Sequence, residues 1–268
     1  MNESCKISVI ISTYNRCGLW VSGGLWKSLL DQTNKDFELV IADDGSTDAT
    51  LLTLQRLRSA QPPCASVRIL ALKRDFDRRD SAVADNALFR AAKGNWFLHL
   101  DDDGWVHPGA VQFARRLADT EGAYYGRIIS MLNGKQVGDD VRVRWFGGNA
   151  PVCRIPKRTK AEWGALWFAP AWAIYRIGGH DVSHLDKRGC DNRLGWSLRA
   201  ALTTWFVNTP EFTFHHHGLS HYNQTPIADY IKESSQPSLH GDEDYKPVVN
   251  GGGAFWFSDW FTNRYFEI

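Results

Sequence analysis

The first third of the chain alternates short apolar runs, rich in β-branched residues, with stretches of helical character. That rhythm predicts repeated βαβ units and a mostly parallel sheet with helices on both faces. The predicted strands are Lys6–Ser12, Phe37–Ala42, Val67–Leu72 and Trp96–Leu100. Helices are expected at Leu25–Leu30, Ala49–Ser59 and Ala82–Lys93. Ile7-Ser8-Val9-Ile10-Ile11 is apolar on nearly every residue, as a strand covered on both faces must be. In such sheets ligands gather at the carboxyl ends of the strands, so the residues just after each run are the first place to look for chemistry.

Beyond Pro108 the pattern loosens. A helix is expected through Arg116, then strands at Tyr124–Met131 and Gln136–Trp145, followed by a Gly-, Pro- and base-rich loop to Lys160. Helices at Pro170–Ile177 and Asp191–Leu202, a strand at Thr204–Val207 and a hinge at Gly251–Gly253 complete the expectation. At 268 residues, 43% hydrophobic and 23% charged, the chain can bury a real core and reads as one α/β domain. A formal net charge of +1 offers no broad cationic field, so stable nucleic-acid binding is not expected and a neutral or anionic small substrate fits better. Cys5, Cys17, Cys64, Cys153 and Cys190 form no CxxC pair, so neither a disulfide framework nor a zinc knuckle is indicated. With no basic, long-apolar leader pattern and no run near the ~20 apolar residues of a membrane span, the expectation is a reducing, cytoplasmic setting. Peripheral attachment to a membrane stays open. Of twelve tryptophans, eight crowd the second half and suit either an aromatic core or a sugar-stacking cleft.

Four segments carry chemistry. Ser12-Thr13-Tyr14-Asn15-Arg16 follows the first strand, where a tyrosine can stack on a nucleobase and small hydroxyl residues let the backbone approach it. An ordinary turn with Asn15 as helix cap is the alternative. Asp43-Asp44-Gly45-Ser46-Thr47-Asp48 follows the second strand. Asp44 can accept a hydrogen bond from a base N–H, with Ser46 expected to cap the next helix. His99-Leu100-Asp101-Asp102-Asp103-Gly104 ends the fourth strand, and three adjacent carboxylates repel one another unless a cation neutralises them. In an extended segment Asp101 and Asp103 face the same side, as two ligands of one hard divalent ion would. Finally, Gly189-Cys190-Asp191-Asn192-Arg193-Leu194 opens a helix, where Asp191 is either a simple cap or an ionised base.

In order and spacing these segments resemble the family 2 glycosyltransferases, closely from residue 6 to about residue 112 and more weakly through Gly178-Gly179-His180-Asp181 and Cys190-Asp191. Asn86 in Ala84-Asp85-Asn86-Ala87-Leu88 and the run from Ala92 to Asp103 belong to the same resemblance. It implies the A-type glycosyltransferase fold, a nucleoside-diphosphate sugar as donor, Mn²⁺ or Mg²⁺ as cofactor, and inversion at the anomeric carbon. Carried over, Ser12, Tyr14 and Asp44 fall on the nucleoside, Arg16 and Arg79 on base or diphosphate with Asp102 beside them, Asp101 and Asp103 on the metal, and Asp191 on the catalytic base. A histidine from the second half often completes the metal site in that family. Of His215-His216-His217, the last is preferred, and in an extended segment His215 and His217 share a face that His216 opposes. Two departures stand out: Cys190 where the family often has Glu, and Asp85 where an Arg often precedes the Asn.

The resulting expectation is a Rossmann-like, mostly parallel sheet with flanking helices and a smaller mixed C-terminal region. Residues 1–120 hold the donor, with a weak lean to UDP, and residues 121–268 of the same domain supply the acceptor cleft and the base. The acceptor is a glycan, a lipid-linked sugar or a protein. Two rivals remain: a nucleotidyltransferase acting on sugar phosphates, disfavoured because Ser12–Cys17 is no glycine-rich phosphate loop, and a catalytically silent carbohydrate-binding protein.

Overall fold

A computed structural model describes residues 6–72, 81–118, 120, 122–140, 142–143, 150–155, 164–180, 190–218 and 265–268. The chain begins with β1 (Ile7–Thr13), α1 (Cys17–Ser22), α2 (Leu25–Leu30), β2 (Phe37–Asp43), α3 (Thr50–Ala60), β3 (Ser66–Leu72), α4 (Ser81–Ala91) and β4 (Trp96–Leu100). Next come β5 (Gly104–Val106), α5 (Ala110–Leu117), β6 (Ala123–Leu132), β7 (Lys135–Gly138), β8 (Val152–Arg154) and β9 (Leu166–Pro170). α6 (Ala171–Ile177), α7 (Cys190–Ala201), β10 (Thr204–Val207), β11 (Thr213–His217) and β12 (Tyr265–Glu267) complete it.

The parallel sheet expected from the first third is present: β3, β2, β1 and β4 pair side by side, with Thr13 in register with Asp43. Its strands feed two cores at once. Val9, Ile11, Leu39, Ile41, Leu98 and Leu100 pack under α1, α2, α3 and α5, while Ile10, Val40, Ala42 and Phe97 pack under α4, α6 and α7. Consecutive residues point to opposite faces of a strand, so burial on both faces requires the unbroken apolar runs read in the sequence.

Past β4 the sheet turns mixed. β9 inserts antiparallel between β4 and β6, all five of its residues buried, and β10 then runs parallel to β6 with β8 antiparallel outside it. β11 leaves this path, pairing parallel with β6 and antiparallel with β5. The last described strand, β12, returns to the opposite edge beside β3, and there Arg68 grips Glu267 through two hydrogen bonds of 2.9 and 2.7 Å.

The strand expected at Gln136–Trp145 is shorter: β7 stops at Gly138, and Arg142 and Val143 are helical. Asp140 ends it by turning inward, where its carboxylate accepts from the Ile128 and Arg142 backbone N–H groups and from the buried Arg142 guanidinium. β8 lies within the stretch expected to be loop, and the Gly251–Gly253 hinge lies outside the described residues. α6 ends as its sequence indicates, because Gly178 takes φ of 85° and turns its N–H back to Ile174 and Tyr175. A side chain there would be strained.

Candidate active site

The carboxyl ends of β1, β2 and β4 meet at one edge of the parallel sheet and are tied together by side chains. Asn15 takes the left-handed conformation at φ 51°, its N–H donating to Ser46 Oγ at 2.9 Å and its Oδ1 accepting from the Thr47 N–H at 2.8 Å. Ser46 therefore joins the two loops and does not cap α3 as expected. The N-cap of α3 is Ala49, with no side-chain cap bond, and Asp48 just before it accepts from the Thr50 N–H at 2.9 Å. Asp43 folds back to accept from the Ser46 N–H at 3.0 Å, and the Asp44 N–H donates to the Thr13 carbonyl at 2.8 Å. Asp44 is buried, while Ser12, Tyr14 and Arg16 are half-buried around it.

A second set of contacts holds the acidic loop. Trp20 Nε1 donates to Thr13 Oγ1 at 3.0 Å, and that hydroxyl donates to Asp102 Oδ2 at 2.6 Å. Arg16 Nε lies 3.5 Å from the other oxygen of Asp102. The Asp101 N–H is bonded to the Ala165 carbonyl just ahead of β9, and the Asp103 carbonyl accepts from the His217 N–H at 2.8 Å. Asp101 and Asp103 lie in a bend between β4 and β5, not in a continued strand.

Of the three histidines on β11, His216 is the one that faces this loop: its Nε2 is 3.3 Å from Asp103 Oδ2. His217, preferred from the sequence, turns its ring the other way to the Gly23 carbonyl and against Trp105, and His215 stacks flat on Trp105 at 5.3 Å. The alternation of faces was as expected, but β11 presents the other face. Burial pushes the Asp103 carboxyl up, and the His216 hydrogen bond with the charges of His216 and Arg16 brings it below its ordinary value. His216 is correspondingly raised, first by its bond to Asp103. Asp103 Oδ1 is buried with no hydrogen-bond partner among the described residues.

Asp191 lies in the first turn of α7, its side chain outside the described residues, as are Arg79 and Asp181. Sequence reasoning assigned no role to Asp85, His99 and His180. They form a buried cluster behind the acidic loop, and a titratable pair inside an otherwise apolar helix and strand was the available signal.

A Rossmann-like parallel sheet that continues into a mixed second half, with interlocked loops and an acidic turn at its strand ends, is the A-type glycosyltransferase fold. The chain belongs to glycosyl transferase family 2, whose model matches residues 8–146. It is 30% identical to the succinoglycan biosynthesis protein ExoO of Rhizobium meliloti over 153 residues, 57% of this chain and 40% of that protein. The chain thus spans well under half the length of that relative, and smaller shares of two others. The fold matches a Pyrobaculum calidifontis mannosyltransferase in complex with GDP-Man and Mn²⁺ with TM-score 0.58 and 21% identity, covering 78% of this chain and 56% of that one. It matches S. aureus TarS 1-349 in complex with UDP with TM-score 0.60 and 16% identity, covering 79% and 60%. Among the described residues no helix is long and apolar enough to cross a membrane.

Proposed function

We propose that this chain transfers a sugar, with inversion, from a nucleoside-diphosphate sugar to an acceptor hydroxyl, using a divalent cation. The observation that carries this is the joining of three strand-end loops around Asp44, Asp102 and Asp103, with a buried Asp103 oxygen that no described group satisfies. Tyr14 would stack on the base and Asp44 accept a hydrogen bond from it, with Ser12 letting the backbone approach base and ribose. Arg16, and Arg79 from outside the described residues, would meet the diphosphate beside Asp102.

The donor set suits Mn²⁺ or Mg²⁺, with Asp101 and Asp103 offering oxygen and His216 nitrogen. Among the described residues no three such side chains converge by themselves, so substrate phosphates would have to complete the ion's shell. When bound, the ion would neutralise charge on the departing diphosphate. Asp191, at the start of a helix whose dipole favours an anion, would take the proton from the acceptor hydroxyl. The rest is positioning: interlocked loops hold the donor rigidly, so little reorganisation is left for the reaction itself.

The relatives' names supply a class of donor and leave the base open. The two solved neighbours hold UDP and GDP-Man, and uridine is the first base to try. A screen of nucleotide sugars with Mn²⁺, reading thermal shift and release of free sugar, tests the reading. Stabilisation by one donor, abolished by EDTA or by Asp103→Ala, is expected. Pyrophosphate release from a nucleoside triphosphate and a sugar phosphate, with no nucleotide-sugar turnover, would replace it with the nucleotidyltransferase. For the base, Asp191→Asn should lower turnover about a hundredfold or more while donor affinity holds. Wild-type turnover in that variant would move the base elsewhere.

A further inference from the structure

Asp85 is an anion in an apolar place. It lies on α4 among Ala84, Leu88 and Phe89, is only 2% exposed, and has a histidine beside each carboxylate oxygen, within hydrogen-bond distance at Oδ2 alone. Its Oδ2 is 3.3 Å from His180 Nε2 and its Oδ1 is 3.7 Å from His99 Nε2. Burial alone would push this carboxyl up, yet the bond to His180 and the neighbouring His99 hold it well below the usual carboxylate range.

Each histidine is locked in a second way. His99 lies flat on Trp167 of β9, ring centroids 5.0 Å apart and planes 5° apart, with its other nitrogen, Nδ1, 4.0 Å from Asp101 Oδ1. His180 stacks on Phe89 at 5.7 Å, and Asn86 clamps its backbone by accepting from its N–H at 2.8 Å and donating to its carbonyl at 2.9 Å. A chain of contacts therefore runs Asp101, His99, Asp85, His180, from the acidic loop to the Gly178-Gly179-His180 turn. Desolvating a carboxylate and two imidazoles to join a helix, a strand and a turn would be poor value, since apolar packing does so at less cost. What apolar packing cannot do is hold an imidazole edge-on to a carboxylate.

Resting on the function proposed above, we infer that Asp85 is a positioning residue, which through His99 sets the Asp101 carboxylate for the divalent cation and through His180 ties the acceptor-side turn to the same frame. It stands one step behind the histidine beside a metal-binding carboxylate; loss of a direct partner of a metal ligand typically weakens metal binding about ten- to a hundredfold, and the lower end of that range is expected here.

Calorimetry of UDP binding at a series of Mn²⁺ concentrations tests this, with GDP replacing UDP if the screen selects it. Asp85→Asn keeps the shape but removes the negative charge that both histidines face. It should raise the Mn²⁺ concentration for half-maximal nucleotide binding about tenfold or more, while nucleotide affinity in EDTA stays as in wild type. His99→Phe, which keeps a ring on Trp167 and leaves Asp85 with His180, should do the same and serves if the first variant does not fold. An unchanged Mn²⁺ requirement in either folded variant overturns the inference. So does failure of both to fold, which would make the cluster a determinant of the fold alone. If the wild-type protein itself shows no Mn²⁺-dependent nucleotide binding, the underlying function fails first, and the two outcomes are not confused.

Discussion

Thr13→Val replaces one hydroxyl by a methyl of nearly the same shape, at a residue that is 3% exposed, and so opens no cavity. Two hydrogen bonds are lost. The bond to the Asp102 carboxylate is charge-assisted and contributes about 1.5–3 kcal/mol. The bond from Trp20 Nε1 is neutral, about 0.5–1.5 kcal/mol, and its loss leaves a buried indole N–H without this acceptor. The expected destabilisation is about 2–4 kcal/mol, read as a lower urea midpoint with an unchanged slope. Thr13→Ser keeps the hydroxyl and loses one methyl, so it should cost only about 1 kcal/mol. Because Asp102 loses the Thr13 hydroxyl as a donor, Thr13→Val should also weaken nucleoside-diphosphate binding more than Thr13→Ser does. A Thr13→Val protein within about 0.5 kcal/mol of wild type, or a Thr13→Ser protein as unstable as it, would refute the idea that this hydroxyl carries the link from Trp20 to the acidic loop.

Gly104→Ala would place a methyl 2.3 Å from both the His215 carbonyl and Phe214 Cε1, so β5 and β11 must part; a loss of about 1–3 kcal/mol or more in urea denaturation is expected, and a neutral result would refute that pairing. His216→Ala should raise the Mn²⁺ requirement for nucleotide binding severalfold while His217→Ala leaves it near wild type, and the reverse order in a Mn²⁺ titration would restore His217 as the ligand. Glu267 is held below its ordinary 4.5, first by its hydrogen bond to Arg68, so its contribution is present above about pH 4.5 and is lost as pH falls through the depressed folded value. Glu267→Gln should therefore cost under about 1 kcal/mol near neutral pH, because the carboxylate is half exposed, and the gap to wild type should close in acid; a gap that widens in acid would reverse the sign of this reasoning.

The parallel half was legible because its physics is local. A strand sandwiched between helices must be apolar on both sides, and β1, β2, β3 and β4 announce this within a residue or so of their ends. Leu166-Trp167-Phe168-Ala169-Pro170 is equally apolar, but five buried residues ending in a proline read as helix or strand alike. Only contact with β4, far back in the chain, and with β6 decides that it is a strand. β5 and β12 are three residues each, too short to show a period, and exist because β11 and β3 have edges to fill.

The candidate site divides along the same line. Position at the end of an apolar strand was enough to mark Asp44 and the Asp101–Asp103 run as candidates, since crowded carboxylates need a neutralising partner wherever the chain folds, whereas a histidine of β11 was marked only by the resemblance to a known family. The sequence also determined that His216 faces opposite to its neighbours, for alternation is a property of any extended segment. Which face meets Asp103 was decided by β11 pairing with β5 and β6, and that Asp85 stands between His99 and His180 was decided by α4 packing against β4 and the Gly178 turn. Those choices depend on contacts between residues up to about a hundred positions apart, whose distances no local pattern encodes and only the packed core sets.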